Sequence, residues 1–195
     1  MTNMKDIYAL LEVSWQVIYK WRNNPTTTQS RYSLKHDFIK KAGELFSLNL
    51  EEQESLAIKA GLSLHGLWGH DKKSPNIGFA NHFNKLLNKY PGKKIELCKA
   101  ALVSDRMFRH IKSGYHLKKE PILALLITME LGLADIQTAL KKSGYFLSSS
   151  IPSDAVIIWM INNEVYCQKG AMRLHYINET LYSLNLPLLM TKIGQ

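Results

Sequence analysis

A short pattern of residues occurs twice in this chain of 195 residues and restricts the possible fold more than any other feature. The first copy is Val13-Ser14 followed by Ile18 and Trp21, and the second is Val103-Ser104 followed by Phe108 and Ile111. The Leu-rich stretches that follow end in Ala60-Gly61-Leu62 and Ser143-Gly144-Tyr145. A repeat must be identified first, because a missed one changes the interpretation of the whole fold. The same pair of helices joined by a tight turn is therefore predicted twice.

Within each copy, the residue types suit a helix, a turn and a second helix. The valine is the apolar residue of the turn, and the serine oxygen caps free N–H groups of the helix that follows. The next two apolar residues are three apart, so they share one helix face, which we expect to pack inward. We therefore predict an all-α protein with two tandem helix-turn-helix bundles and a C-terminal helical extension.

The outward face of each second helix carries side chains suited to phosphates and base edges. The candidates are Trp15, Gln16, Tyr19, Lys20 and Arg22 in the first copy, and Arg106, Arg109, His110 and Lys112 in the second. Arg and Lys suit guanine and the backbone, whereas Gln suits adenine. Three roles remain open for Trp15: contact with DNA, anchoring of a protein interface, or packing under the following loop.

That loop, from Asn23 to His36, is polar and makes the first copy longer than the second. Loops of this composition connect helices over the surface. Arg31 is a candidate for a minor-groove arm, and an ordinary solvated connection is the alternative.

The positive charge is concentrated in the middle of the chain. Residues 67–150 contain fourteen Lys and Arg against six Asp and Glu, which gives eight of the nine net positive charges. Between Lys72 and Lys119 this basic stretch is opposed only by Glu96 and Asp105. Such a cluster around a predicted recognition helix is typical of a polyanion partner, and a surface kept basic for solubility is the alternative.

The distribution of helical patterns divides the chain into four segments. We predict an N-terminal helix-turn-helix unit over 1–66, a linker over 67–77, a second unit over 78–150 and a helical extension over 151–195. The extension has no counterpart in the first copy, so it is either a cap on the second unit or a surface for a partner. Candidates for a dimer surface are Tyr166, Tyr176, Leu181, Leu184, Leu186 and Leu188, with burial in the chain's own core as the alternative.

Several classes of protein find no support in the sequence. The longest apolar run, 155–161, is far shorter than the roughly 20 residues that span a bilayer. Cys98 and Cys167 are far apart, which favours a reduced cytoplasm over a disulfide framework, with Cys98 a buried thiol. His65, His70, Asp71 and His82 match no compact set of metal ligands. We therefore expect no metal, no cofactor and no enzyme activity.

From Ser104 onward the chain resembles the lambda-repressor-like (Cro/repressor, XRE-type) helix-turn-helix superfamily. Residues 79–189 carry the similarity, through Phe83, Leu86-Leu87, the Phe108-Arg109-x-Ile111 core, Met129 to Leu133, Lys142 to Tyr145 and Leu186 to Leu189. The first unit is similar more loosely, through Leu10 to Ser14 and Ile18 to Trp21.

Two departures from the superfamily affect the expected interface. The position before the turn valine is often Gly, because it tends to need positive φ. Here it is Glu12 or Leu102, so a slightly different turn is expected. Asp105, at the tip of the second recognition helix, would repel phosphate or accept from a cytosine amino group.

The resemblance implies a double-stranded DNA-binding protein, a bacterial or mobile-element transcriptional regulator acting as a homodimer. Paired recognition helices of such dimers lie about 34 Å apart. The alternative is an anti-CRISPR-type inhibitor that binds a protein partner, a nucleic-acid-processing enzyme, and that also binds DNA in some members. A binder of single-stranded nucleic acid, stacking bases on Trp15, Tyr19 and Tyr115, ranks below both.

Overall fold

The computed structural model describes residues 36–68, 74–115, 117–163 and 171–190, and every regular element in these ranges is an α-helix. The predicted all-α class is confirmed for this part of the chain. The chain divides into two compact units, Met1–Gly69 and His70–Gln195. The first copy of the repeat, with candidates Trp15, Gln16, Tyr19, Lys20, Arg22 and Arg31, lies outside the described residues.

In the first unit, the described residues form α1 (His36–Leu45), α2 (Leu50–Lys59) and the short α3 (His65–Trp68). Asn49 is the N-cap of α2, because its side chain accepts from the Glu52 N–H at 3.0 Å. The Glu52 carboxylate accepts from the Asn49 N–H at 2.8 Å in return. This reciprocal capping box satisfies two N–H groups that a helix start leaves without partners.

A small apolar core holds these helices together. Ile39 from α1, Ala57 from α2 and Leu64 before α3 are buried. The Trp68 indole N–H donates to the Glu54 carboxylate at 2.8 Å. Since Glu54 is also buried, this bond satisfies a charged group that would be costly to leave without a partner.

The second unit contains the remaining described helices. In chain order they are α4 (Ile77–Lys89), α5 (Lys94–Ala100), α6 (Asp105–Lys112), α7 (Lys119–Thr128), α8 (Leu133–Lys142), α9 (Pro152–Asn162) and α10 (Ala171–Ser183). Every residue from Pro121 to Thr128 is buried, so α7 is central to the core. It packs against α5, α8 and α10.

The glycines at the ends of the two repeated stretches have the same structural role. Gly61 has φ 72° and Gly144 has φ 81°, a left-handed conformation that costs glycine little. The residue after each glycine donates a hydrogen bond back to the helix. The Leu62 N–H donates to the Ala57 carbonyl oxygen at 2.9 Å, and the Tyr145 N–H donates to the Leu140 carbonyl oxygen at 2.9 Å. Both helices therefore end in a Schellman motif that satisfies free carbonyl groups.

The C-terminal helices belong to the core of the second unit. Ile157 and Met160 on α9 and Ile177 and Leu181 on α10 are all buried within it. The prediction that Leu181 belongs to a dimer surface is therefore wrong, because this residue is fully buried.

The other dimer candidates differ in their exposure. Leu186 and Leu188 are partly buried against the same core, whereas Tyr176 and Leu184 are exposed. Tyr166 lies outside the described residues. Among the described helices, none has the length and apolar character needed to cross a bilayer.

Candidate nucleic-acid interface

The tight turn between α5 and α6 positions the second helix of the pair. Leu102 has φ 55°, and the Val103 N–H donates to the Cys98 carbonyl oxygen at 2.9 Å. Val103 itself is buried at 4% exposure, as the apolar residue of the turn should be. For the second copy the expectation of a different turn is wrong, because Leu102 adopts the left-handed conformation that glycine favours at this point. The turn keeps its shape at the cost of local strain. Glu12 of the first copy lies outside the described residues.

Ser104 begins α6 as predicted. Its backbone is extended, with φ −67° and ψ 153°, and its Oγ accepts from the Met107 N–H at 3.2 Å. This bond satisfies one of the N–H groups at the helix start. The direction in which α6 leaves the turn is thereby fixed from both sides, by the Leu102 conformation and by the Ser104 cap.

The two faces of α6 differ sharply in burial. Phe108 and Ile111 are each 1% exposed, which confirms that they pack inward. The centre of the Phe108 ring lies 6.1 Å from the centre of the Phe83 ring of α4. Since the inner face is anchored in this way, the rotation of α6 about its own axis is fixed.

The outer face of α6 carries the predicted cations. Arg106, Arg109 and Lys112 are exposed, and His110 is half-buried. The Lys112 carbonyl oxygen accepts from the Asn84 side chain of α4 at 3.4 Å, which ties the end of the helix to its neighbour. The structure therefore presents three basic side chains of the second copy to solvent.

Asp105 is the acidic residue at the start of α6, and it is bound to two cations. Its carboxylate lies 3.1 Å from Lys94 Nζ and 3.2 Å from Arg109 Nε. The hydrogen bond from Lys94, with the charges of Lys94 and Arg109, lowers the pKa of Asp105 below 3.8. Lys94 also lies 4.9 Å from the centre of the Phe108 ring. Asp105 thus reduces the positive potential at this end of the helix.

A second group of cations lies near His82 on α4. Partial burial lowers the pKa of His82 below 6.5, and Lys142, Lys85 and Lys89 lower it further, against the opposing effect of Asp135. The His82 Nε2 atom is buried and has no hydrogen-bond partner within the described ranges. Burial and the neighbouring lysines therefore both disfavour protonation of the His82 ring.

Sequence reasoning missed a cavity of about 370 Å³ beside α6. Arg106 and His110 of α6 line it together with Lys118, the residue before α7, and Pro121 in the first turn of α7. The helical period of α6 ends at Lys112, so it could not connect α6 with Lys118 and Pro121. The signal that was available is the basic stretch, which already included Lys118.

Within the described residues, the other candidate ligands and nucleophiles do not form a site. No group of three or more His, Cys, Asp or Glu side chains there is placed to hold a metal ion. His65 packs edge-on against Trp68, with ring centres 6.4 Å apart. Cys98 is buried as expected, and burial raises the pKa of its thiol, which disfavours the reactive thiolate.

Comparison with known proteins adds no relative, since no family model, no curated protein and no solved structure matches this chain.

Proposed function

We propose that this protein binds double-stranded DNA and that α6 is the helix that enters the major groove. The observation that carries this proposal is the division of α6 into a buried face, Phe108 and Ile111, and an exposed face with Arg106, Arg109 and Lys112. A helix anchored on one side and cationic on the other matches the recognition helix of a helix-turn-helix unit. The major groove is about 12 Å wide, which admits such a helix.

The cations of α6 and its surroundings have two roles in this proposal. Arg106 and Arg109 would donate to guanine or phosphate, and Lys112 to phosphate. The basic stretch of residues 67–150 supplies the general attraction for the duplex. The resemblance to the lambda-repressor-like superfamily supports a transcriptional regulator of bacterial or mobile-element origin, working in the cytoplasm.

We also propose that the protein acts as a homodimer joined through its C-terminal helices. Residues 151–195 carry three basic and three acidic residues, so two copies do not repel each other there as the strongly basic middle segment would. Trp159, Tyr176 and Tyr182 are exposed on α9 and α10, at 57%, 40% and 75%. Exposed aromatic side chains of this kind are typical of interface anchors. Measuring the mass of the wild type and of the Trp159→Ala and Tyr182→Ala variants in solution tests this proposal. A wild type that is a monomer at all concentrations would refute it.

DNA binding is tested by fluorescence anisotropy with a labelled random duplex at several salt concentrations. Affinity should fall by about 0.9 log units per log unit of salt for each phosphate neutralised. The double variant Arg106→Ala/Lys112→Ala should bind more weakly and lower this slope by about two if both contact phosphate. Lys40→Ala, an exposed lysine of α1 in the first unit, is the control for a lost charge.

A second candidate function is a protein-binding inhibitor of a nucleic-acid-processing enzyme. The mixed-charge group of Lys94, Asp105 and Arg109 favours it, because paired charges on a surface suit a protein partner better than a polyanion. The two functions differ in their salt dependence. Absence of duplex binding at about 50 mM salt would reject the DNA proposal and leave this candidate.

A further inference from the structure

The cavity beside α6 has the size of a small-molecule site. Its volume is about 370 Å³, and Met107, Ile111 and Pro121 form its apolar wall. Pockets for small organic molecules have volumes from about 300 to about 1,000 Å³, with a mainly apolar lining and a few polar groups that orient the ligand. The cavity is open to solvent on one side and its volume lies near the lower end of the range, so it fits a compact ligand.

The polar groups of the cavity favour a negative charge on that ligand. Arg106, His110 and Lys118 line it together with Ser104, and the described residues of the lining include no Asp or Glu. Two acids are adjacent to lining residues along the chain: Asp105, whose carboxylate is bound to Lys94 and Arg109, and the exposed Glu120. A carboxylate, sulfonate or phosphate would receive charge-assisted hydrogen bonds from Arg106 and Lys118.

Two of the three residues of the apolar wall are held in place by the core. Ile111 is 1% exposed within the core, and Pro121 is buried in the first turn of α7. The start of α6 is fixed by the Ser104 cap. A ligand that enters the cavity therefore need not order the chain, and such preorganisation favours binding.

We propose that this cavity binds a small organic anion, with an aromatic or other apolar body against Met107 and Pro121 and one anionic group at Arg106 and Lys118. Because Arg106 and His110 also belong to the α6 surface, an occupied cavity and a bound duplex compete for the same side chains. The cavity itself is independent of the proposed DNA binding, whereas this competition rests on it.

The test is a fluorescence titration of the intact chain with anilinonaphthalene sulfonate, which has an aromatic body and one sulfonate. Met107→Trp places a larger side chain in the cavity, and Lys118→Ala removes a cation from its lining. Each should weaken binding of the probe about tenfold. Lys112→Ala is the matched control, because it removes a cation from α6 that does not line the cavity. It should bind the probe as the wild type does.

The probe's other possible site is the exposed aromatic surface of α9 and α10. Trp159→Ala should therefore leave the titration unchanged. Loss of binding in Trp159→Ala with wild-type binding in Lys118→Ala would overturn the proposal. If Met107→Trp fails to fold, the comparison of Lys118→Ala with Lys112→Ala decides alone.

The charge preference is tested by displacing the probe. Naphthoate and naphthyl phosphate should compete at least about tenfold better than naphthalene methanol, which has the same body without a charge. Equal competition by the neutral alcohol would overturn the assignment of an anionic ligand. The relative strength of the two anions identifies the headgroup that the cavity prefers.

Competition with DNA is measured by adding saturating naphthoate to the labelled duplex assay. We expect duplex affinity to fall about tenfold in the wild type and to be less affected in Met107→Trp. Unchanged affinity in the wild type would refute the competition. The titration without DNA tests the cavity alone, and the duplex assay without ligand tests DNA binding alone. Failure of one proposal can therefore be told from failure of the other.

Discussion

Lys119 at the start of α7 donates from Nζ to both carboxylate oxygens of Asp154 in α9, at 2.7 Å and 2.6 Å. The Asp154 side chain is 5% exposed, and it also accepts from the Ser148 N–H at 3.0 Å. This buried ion pair joins the central helix to the C-terminal helices. A buried carboxylate is tolerated only when its charge is compensated in this way.

Lys119→Met should destabilise the second unit by about 3 kcal/mol, because it leaves the Asp154 charge buried without its cation. Asp154→Asn should cost less, since Lys119 is 20% exposed and can reach water. In the double variant the two losses should not add, because the pair is removed as a whole. Urea unfolding measures all three.

Lys118→Met is the control for this set, since Lys118 is exposed and adjacent to Lys119. It should change the free energy of unfolding by less than about 0.5 kcal/mol. Additive losses in Lys119→Met and Asp154→Asn would show that the pair contributes nothing as a unit.

Leu102→Gly should be more stable than Leu102→Ala by about 1 kcal/mol. Both substitutions remove the same side-chain contacts, but only glycine relieves the strain of φ 55°. Thermal or urea unfolding of the two variants compares them directly. Equal stability would mean that the turn relaxes away from the left-handed conformation in the alanine variant.

The helix positions of the second unit follow from local sequence signals. Phe108 and Ile111 share a face, Ser104 caps the helix that contains them, and Gly144 ends α8. Each of these features depends on residues within a few positions of one another. Periodicity and capping were therefore sufficient to predict the start and the inward face of α6.

What the sequence did not predict depends on contacts between distant residues. Lys119 and Asp154 are 35 positions apart, and neither belongs to a periodic pattern that would connect them. The cavity likewise combines α6 with the start of α7. The short helix His65–Trp68 crosses the predicted boundary between the first unit and the linker. It was not predicted, because four residues are too few to show a helical period.

His82 should make the folded protein less stable as the pH falls below 6.5. Partial burial and nearby Lys142 hold its folded-state pKa below that value, so the unfolded chain takes up a proton first. Stability is then complete above pH 6.5 and decreases until the pH passes below the folded-state pKa. Urea unfolding at about pH 7.5 and about pH 5.5 measures this difference.

The variant His82→Gln should show a smaller loss of stability over this range, because its side chain does not titrate. Lys142→Met should also reduce the loss, since it removes a cation that disfavours protonation. Lys99→Met, which removes an exposed cation that is not among those lowering the pKa of His82, should keep the wild-type pH dependence. A wild-type response in His82→Gln would show that other groups cause the acid sensitivity.

Asp105→Asn should tighten duplex binding. The substitution removes a carboxylate from the α6 surface and releases Lys94 and Arg109, which lie 3.1 Å and 3.2 Å from it. Lowering the pH does not replace the substitution, because Lys94 keeps the pKa of Asp105 below 3.8. Anisotropy with the labelled duplex should show higher affinity and a steeper salt dependence, as two more cations can reach phosphates.

Glu96→Gln is the control, since it removes an exposed acid from the first turn of α5 without releasing Arg109. Its smaller gain would reflect only the change in net charge, and the excess in Asp105→Asn would measure the two released cations. Weaker binding by Asp105→Asn would contradict the prediction. It would mean that the carboxylate holds Lys94 and Arg109 in the orientation that the duplex requires, so that the ion pairs form part of the interface.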